Sequence, residues 1–275
     1  ISIVFGLNGV LDLAYGAKIA LVAILGASLM DVGLPLWGAI AVILATSLVI
    51  GLAVDATVLA PAHRRAGEAR TVLSLLVTLA VAFLIDGVLV SVRPHAALTV
   101  VVSGGPIEIL GTSMRRGSLL ASMIAGAALA AAFLVLQTTR LGRAIRCVIQ
   151  DVEGAQLCGI EPSRIRIIVV ALSSFLGGIV ALTLAASSSV TPTSGFDLTI
   201  LAVVVAVVGG LGRVAGAVVA GLLLGLAHAT ATALVGAAGT WVVLLLAAAL
   251  TIVLRPDGVL GLTPTSRRRT RELPT

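Results

Sequence analysis

Charge is scarce in this sequence. Of its 275 residues only 11% are Asp, Glu, Lys or Arg, and aromatic residues make up 3%. A soluble domain carries about 25% charged residues, so one or two soluble domains of this length are excluded. Disorder is excluded as well, because 59% of the chain is hydrophobic. Cysteine is equally rare. Cys147 and Cys158 lie in one hydrophilic stretch without metal-ligand spacing, which excludes a disulfide scaffold and reads as two free thiols facing a reducing compartment. The sequence has no G-x-x-x-x-G-K-[ST] loop and no H-E-x-x-H pair, so neither a nucleotide site, a metal nor any other cofactor is expected. It has no cleavable signal with a basic n-region, and it starts at Ile1 inside an apolar stretch without Met. The N-terminus therefore reads as incomplete.

What charge there is lies in clusters, with long uncharged runs between them, the pattern of helices that cross a bilayer. About 20 helical residues at 1.5 Å each span the hydrocarbon. Full-length candidates fall at 35–56, 71–91, 117–137, 166–186, 214–233 and 239–254, with shorter runs at 17–30 and 198–208 and the tail of one more helix at 1–11. The expected fold is all-α, a polytopic transmembrane bundle of about eight spans. It forms one transmembrane body over 1–262, with a hydrophilic loop at 138–165 and a basic tail at 263–275.

The net charge of +6 does not point to nucleic acid. Basic residues of a membrane protein collect in cytoplasmic loops and set its orientation. Arg64, Arg65 and Arg70 share one loop. Arg140, Arg143, Arg146, Arg164 and Arg166 share a second, and Arg267, Arg268, Arg269 and Arg271 lie in the tail. The intervening loop holds Arg93, Arg115 and Arg116. Placing the richer loops and the C-terminus in the cytoplasm makes 198–208, extended to Gly212, a thin crossing packed among its neighbours. Lys18 is the only lysine, and the Arg, Ala, Val, Leu and Gly load is that of a high-GC bacterial genome. A multi-pass protein of the bacterial inner membrane, in contact with its lipids, is expected.

Four stretches carry more than hydropathy. In the longest hydrophilic loop, Leu141, Ile145, Val148 and Val152 form an apolar helical stripe opposite Arg143, Arg146, Gln150 and Glu153. Gly159 fits a helix stop and Pro162 the first turn of the next helix, so the loop is expected to form two short helices. Composition alone favours an amphipathic connector resting on anionic headgroups. The second stretch holds Gly210, Gly212, Gly216, Gly221 and Gly225. Its flanks are membrane helices, not the strand a dinucleotide loop requires. Gly212/Gly216 and Gly221/Gly225 read as small-residue packing pairs. The third stretch runs from Gly9 to Gly16, and the fourth from Arg255 to Gly261, where Pro256 ends a helix.

In order and spacing these stretches resemble the membrane subunit of branched-chain amino acid ABC importers, a group that also serves urea and short amides. The family shows Gly-x-Leu-x-x-Ile-Asn-Phe-Ala-His-Gly, then Gly-Arg-Ala-x-Arg-Ala…Asp…Ala…Gly-Ile, then Gly-Gly-Leu-Gly-Ser-x-x-Gly-Ala and Arg-Pro-x-Gly-Leu-x-Gly. These fall here at Gly9 to Gly16, Gly142 to Ile160, Gly209 to Ala217 and Arg255 to Gly261. Asp12, Leu13 and Tyr15 stand for the family's Asn, Phe and His, Arg213 for a small residue and Ala215 for a frequent Pro. The resemblance implies two ATP-binding cassette ATPase subunits, a second permease subunit and an external binding protein that delivers substrate. It turns the hydrophilic loop into a coupling region that rests on the ATPase through Gly142, Arg143, Ala144, Arg146, Gln150, Asp151, Glu153, Gly159 and Ile160, tilting the spans at 117–137 and 166–186. ATP chemistry belongs to the partner, and the chain itself is not an enzyme.

Ionisable residues inside spans are functional candidates by default. Asp86 and His228 qualify, each either lining a pathway or paired structurally, and Asp12 lies near the presumed pathway. Asp55, near a helix end, reads as snorkelling, and Asp197 as an N-cap. The nearest alternative is a sugar-type ABC permease. A secondary transporter requires coupling acids between inverted repeats, and no matching halves are visible. A channel or scaffold subunit is more distant.

Overall fold

The computed structural model describes residues 1–31, 35–59, 68–92, 107–109, 112–114, 116–187, 189–254 and 258. The tail at 263–275, and Arg64, Arg65, Arg93, Arg115, Arg255 and Pro256, lie outside them. Apolar runs fold as helices because lipid offers backbone groups no partners, so each must be bonded within its own segment. The helices are α1 (Ser2–Asn8), α2 (Tyr15–Asp31), α3 (Leu36–Val54), α4 (Glu68–Val92), α5 (Arg116–Thr138), α6 (Arg140–Gln150), α7 (Val152–Leu157), α8 (Pro162–Ser187), α9 (Ser194–Gly209) and α10 (Val214–Leu254). Helix α3 runs on into a π-turn, Asp55–Leu59. Among the described residues, five segments are long and apolar enough to cross a membrane: Trp37–Val58, Thr71–Val92, Gly117–Thr138, Pro162–Ser187 and Val214–Gly236. Three shorter apolar helices accompany them, Tyr15–Met30, Ser194–Gly209 and Gly239–Thr251. The all-α polytopic class holds, with one addition. In the stretch expected to be a plain loop, an antiparallel hairpin pairs β1 (Ile107–Ile109) with β2 (Thr112–Met114), Glu108 opposite Ser113.

The chain forms two compact units, Ile1–Val203 and Val204–Thr275. In the first, α2 is the central helix. Its Ala17, Ala20, Ala23 and Ala27 are buried with Val22 and Ile24 against Ile43 of α3, Ala82, Ile85 and Leu89 of α4, and Ala181 and Ala185 of α8. So many alanines on one helix are an approach device. In lipid no hydrophobic force joins helices, so attraction comes from close packing of small residues. Helices α3 and α8 run antiparallel on the same logic. A β-carbon on Gly51 would fall 1.8 Å from Ser174 Oγ, one on Gly178 would touch Leu44 and Ser47 at 3.1 Å, and Ser47 Oγ donates to the Ser174 carbonyl at 2.6 Å.

In the second unit, α10 is broken at Gly236 (φ 78°, ψ 173°), a backbone conformation that favours glycine. Thr232 and Thr240 share a hydrogen bond of 3.0 Å across the break. Leu222, Leu223, Leu226 and Leu246 are exposed, as befits a helix whose outer face meets lipid.

Candidate functional site

The first helix of the chain is discontinuous. Helix α1 stops at Gly9 (φ 65°), whose N–H donates to the Phe5 carbonyl at 2.7 Å, and helix geometry resumes only at Tyr15. Asp12 fills the gap. Its Oδ1 accepts from the Ala14 N–H at 3.0 Å and its Oδ2 is ion-paired with Lys18, one turn into α2. Both side chains are nearly buried, 9% and 14% exposed, so each charge depends on the other. The carboxylate also sits at the positive end of α2. The Lys18 ammonium lies 5.8 Å from the Tyr15 ring centroid, and the Tyr15 hydroxyl donates to the Ser173 carbonyl at 3.0 Å. Ser173 is about midway along the 26-residue α8. The break and its charges therefore lie halfway down a full-length span.

Helix α9 begins at the same place. The Gly16 N–H donates to Thr199 Oγ1 at 3.1 Å, and that hydroxyl lies 3.2 Å from the Leu13 carbonyl and 3.0 Å from that of Gly195. A β-carbon at Gly16 would fall 2.2 Å from the Gly195 carbonyl oxygen, and one at Gly195 would lie 2.8 Å from both Ala17 Cα and Asp86 Oδ1. Asp86 on α4 thus faces the junction between the starts of α2 and α9. Its Oδ1 is buried without a hydrogen-bond partner among the described residues. Asp12 and Asp86 therefore border the same helix start. His228 is exposed on α10, which does not fit a buried, structurally paired imidazole. Asp197 is a correction as well. Helix α9 starts at Ser194, so Asp197 lies exposed in its first turn rather than at its N-cap. Composition does not mark Tyr15, Gly16 and Thr199 as part of the site, because their partners are up to 186 residues away.

The second locus is the α6–α7 pair between α5 and α8. Thr139 caps α6, its Oγ1 accepting from the Gly142 N–H at 3.2 Å. Asp151 caps α7, accepting from the Glu153 and Gly154 N–H groups at 3.0 Å each. The buried face is Gly142, Ile145 and Val148, while Leu141 and Val152 of the expected stripe are exposed. The stripe is turned because a β-carbon at Gly142 would meet the Leu136 carbonyl oxygen at 2.0 Å. That glycine lets the turn close, and Arg146 completes it by donating to the same carbonyl, one of the α5 carbonyls left without a helical partner. Arg146 is thereby tied to α5. Arg143, Gln150 and Glu153 remain exposed, Asp151 is exposed but serves as a cap, and Ala144 and Ile160 are half-buried. Gly159 has φ 77° at the stop after α7, and Pro162 opens α8. Leu157, absent from the expected set, is 91% exposed beside the free, exposed thiol of Cys158.

Asp55 does not snorkel. It is buried in the π-turn and paired with Arg166 of α8 at 3.5 Å.

The glycine stretch separates into two roles. Gly210 (φ 88°) and Gly212 (φ 82°) are turn residues, so Gly212 does not share a helix face with Gly216. Gly216 is the packing residue, since a β-carbon there would lie 1.8 Å from the Gly209 carbonyl oxygen. Gly221 packs at an ordinary 3.6 Å from Val205, and Gly225 has open space. Gly258 closes the unit. Its β-carbon would fall 2.6 Å from Gly210 N, so this residue of the fourth stretch rests on the third. Among the described residues no cluster of His, Cys, Asp and Glu suits a metal.

A family model described as the branched-chain amino acid transport system permease component matches residues 1–254, and the chain belongs to that family. It is 27% identical over 224 residues to the ribose import permease protein RbsC of Haemophilus influenzae, covering 78% of this chain and 67% of that one. It is 34% identical over 129 residues to the high-affinity branched-chain amino acid transport system permease protein BraD of Pseudomonas aeruginosa, covering 46% of this chain and 42% of that one. With the corresponding protein LivH of Escherichia coli it shares 30% identity over 135 residues, 49% and 44% of the two chains. The chain thus spans about two thirds of the ribose permease and less than half of the branched-chain permeases. No solved structure matches.

Proposed function

We propose that this chain is the membrane-spanning subunit of an ABC importer, passing branched-chain amino acids or a related small polar solute such as urea or a short amide. An external binding protein delivers the solute, a second permease subunit completes the pathway, and two ATPase subunits supply the energy. The α6–α7 pair carries this reading. It is a separately capped helical corner between two spans that holds Arg143, Gln150, Glu153 and Leu157 outward. An ATPase groove seats such a corner, taking its exposed charged and amide groups together with the leucine. Asp12, Asp86 and His228 are the proposed pathway groups, the first two at the break between α1 and α2. Ribose-type import is the second reading, favoured by the larger share of the chain matched by that relative. Purification of the chain with its ATPase, followed by uptake of labelled leucine and labelled ribose, decides between them. Leucine uptake supports the first reading, ribose uptake the second, and an ATPase that never copurifies removes both.

Arg143→Ala with Asp151→Asn tests the corner itself. Asparagine keeps the cap, so the helices stay formed while two charges are removed. Uptake is expected to fall by about tenfold, the size of effect that truncating one important interface side chain has on binding, while the protein still inserts. Unchanged uptake rejects the assignment.

The arginine asymmetry supports a cytoplasmic side for the corner and the tail. In a Cys147→Ser background, native Cys158 is expected to react with a membrane-impermeant maleimide only in inside-out vesicles. Cysteines introduced at Ser266 and Gly105, both outside the described residues, are expected to label from the inside and the outside respectively. The reverse pattern inverts the topology.

A further inference from the structure

Between the docking corner and the helix break lies a buried ion pair that the proposed function does not use. Arg166 stands one turn into α8, the helix that directly follows α7, with its side chain 23% exposed. Asp55 stands in the π-turn that ends α3, its side chain 4% exposed, and the two groups are 3.5 Å apart. The bland reading is stabilisation. Buried ion pairs are poor stabilisers, because the cost of stripping water from two charges roughly cancels their attraction. Single-turn π segments, rare in proteins, cluster at functional positions.

The placement supplies a better reading. Along the chain, a push on α6–α7 enters α8 at Pro162, and among the described residues Arg166 is the first in α8 with an ion pair to another span. Further along, α8 and α3 approach closely at Gly51 and Ser174, with Ser47 bonded to the Ser174 carbonyl. Helix α3 in turn meets α2, where a β-carbon on Gly26 would fall 2.1 Å from Ile43 Cδ1. Helix α2 begins at the Asp12–Lys18 pair. The ion pair therefore stands at the first junction of a contiguous packed route from the docking corner to the break.

We propose that Asp55 and Arg166 form the joint through which movement of α6–α7 passes from α8 into α3, so that the pair sets how tightly ATP hydrolysis is tied to transport. They are positioning residues and touch neither nucleotide nor solute. The proposal rests on the docking of the ATPase at α6–α7.

Its test uses the assembled transporter in proteoliposomes, reading ATP hydrolysed per solute taken up. Asp55→Asn and Arg166→Gln are each expected to raise that ratio by about fivefold or more, the usual scale of a coupling free energy, with normal ATPase copurification. The exchange of Asp55→Arg with Arg166→Asp is expected to restore it. The Asn/Gln double variant, which leaves no charge alone, is expected to be no worse than either single one. An unchanged ratio in the single variants overturns the joint, and so do strictly additive effects in the double variant, which show that the two residues act independently. Absence of the ATPase from the wild-type preparation overturns the docking reading first and the joint with it.

Discussion

Gly216→Leu is expected to leave little folded protein. A β-carbon at this position would lie 1.8 Å from the Gly209 carbonyl oxygen, and that atom belongs to backbone, which cannot swing aside as a side chain would. Overpacking a well-packed core costs about 1–3 kcal/mol, and a backbone clash belongs at the top of that range. The end of α9 and the start of α10 would be forced apart, along with the Gly210 and Gly212 turn between them. Thermal unfolding in detergent, followed by size exclusion, measures the loss. Gly225→Leu is the control, because no described residue lies within 4 Å of its β-carbon position. It is expected to unfold like wild type. If Gly216→Leu is equally stable and only transport selectivity changes, the glycine lines a pathway and the packing account fails.

The second large effect is expected at Asp12. Asp12→Ala leaves the Lys18 ammonium buried without its carboxylate, and breaking a buried pair from one side costs about 3–5 kcal/mol. Asp12→Leu combined with Lys18→Met removes both charges at similar volume. That combination is expected to recover most of the stability lost in the single variant, because an apolar replacement escapes desolvation. Transport separates the two roles. If the pair lines the pathway, the double variant is stable and inactive. Full uptake in the double variant makes the pair a structural staple and removes Asp12 from the pathway.

The class of fold is legible in the sequence because lipid imposes a simple rule, apolar length, and the positions of α3, α4, α5, α8 and α9 follow from it within a few residues. What is not legible has physical causes. Pattern counting misplaces the stripe on α6 because it weighs apolar side chains, and Gly142 is buried for having none. Asp55 near a helix end carries the local signature of a snorkelling group, and its partner Arg166 is 111 residues away, beyond any periodicity. Asp151 has the pattern of a solvent-facing charge, yet it satisfies two backbone donors of α7. The π-turn leaves no mark in composition at all. Thr199 escapes sequence reasoning for the same reason as Arg166. Polar residues inside an apolar chain announce that a site exists, but only the three-dimensional neighbours say which of them belong to one site.

Gly258 lies against Gly209 and Gly210, so the chain leaves that turn through Val214, travels 41 helical residues and returns to its starting point. A straight helix of that length would end about 60 Å away. The break at Gly236, with Thr232 and Thr240 bonded across it, must then be a reversal, and the excursion crosses the bilayer an even number of times. Departure and return share one face of the membrane whatever the arginines dictate. This parity makes a one-sided test of topology sufficient. A label that reaches a cysteine at Leu211 from one side fixes the side of Gly258 as well.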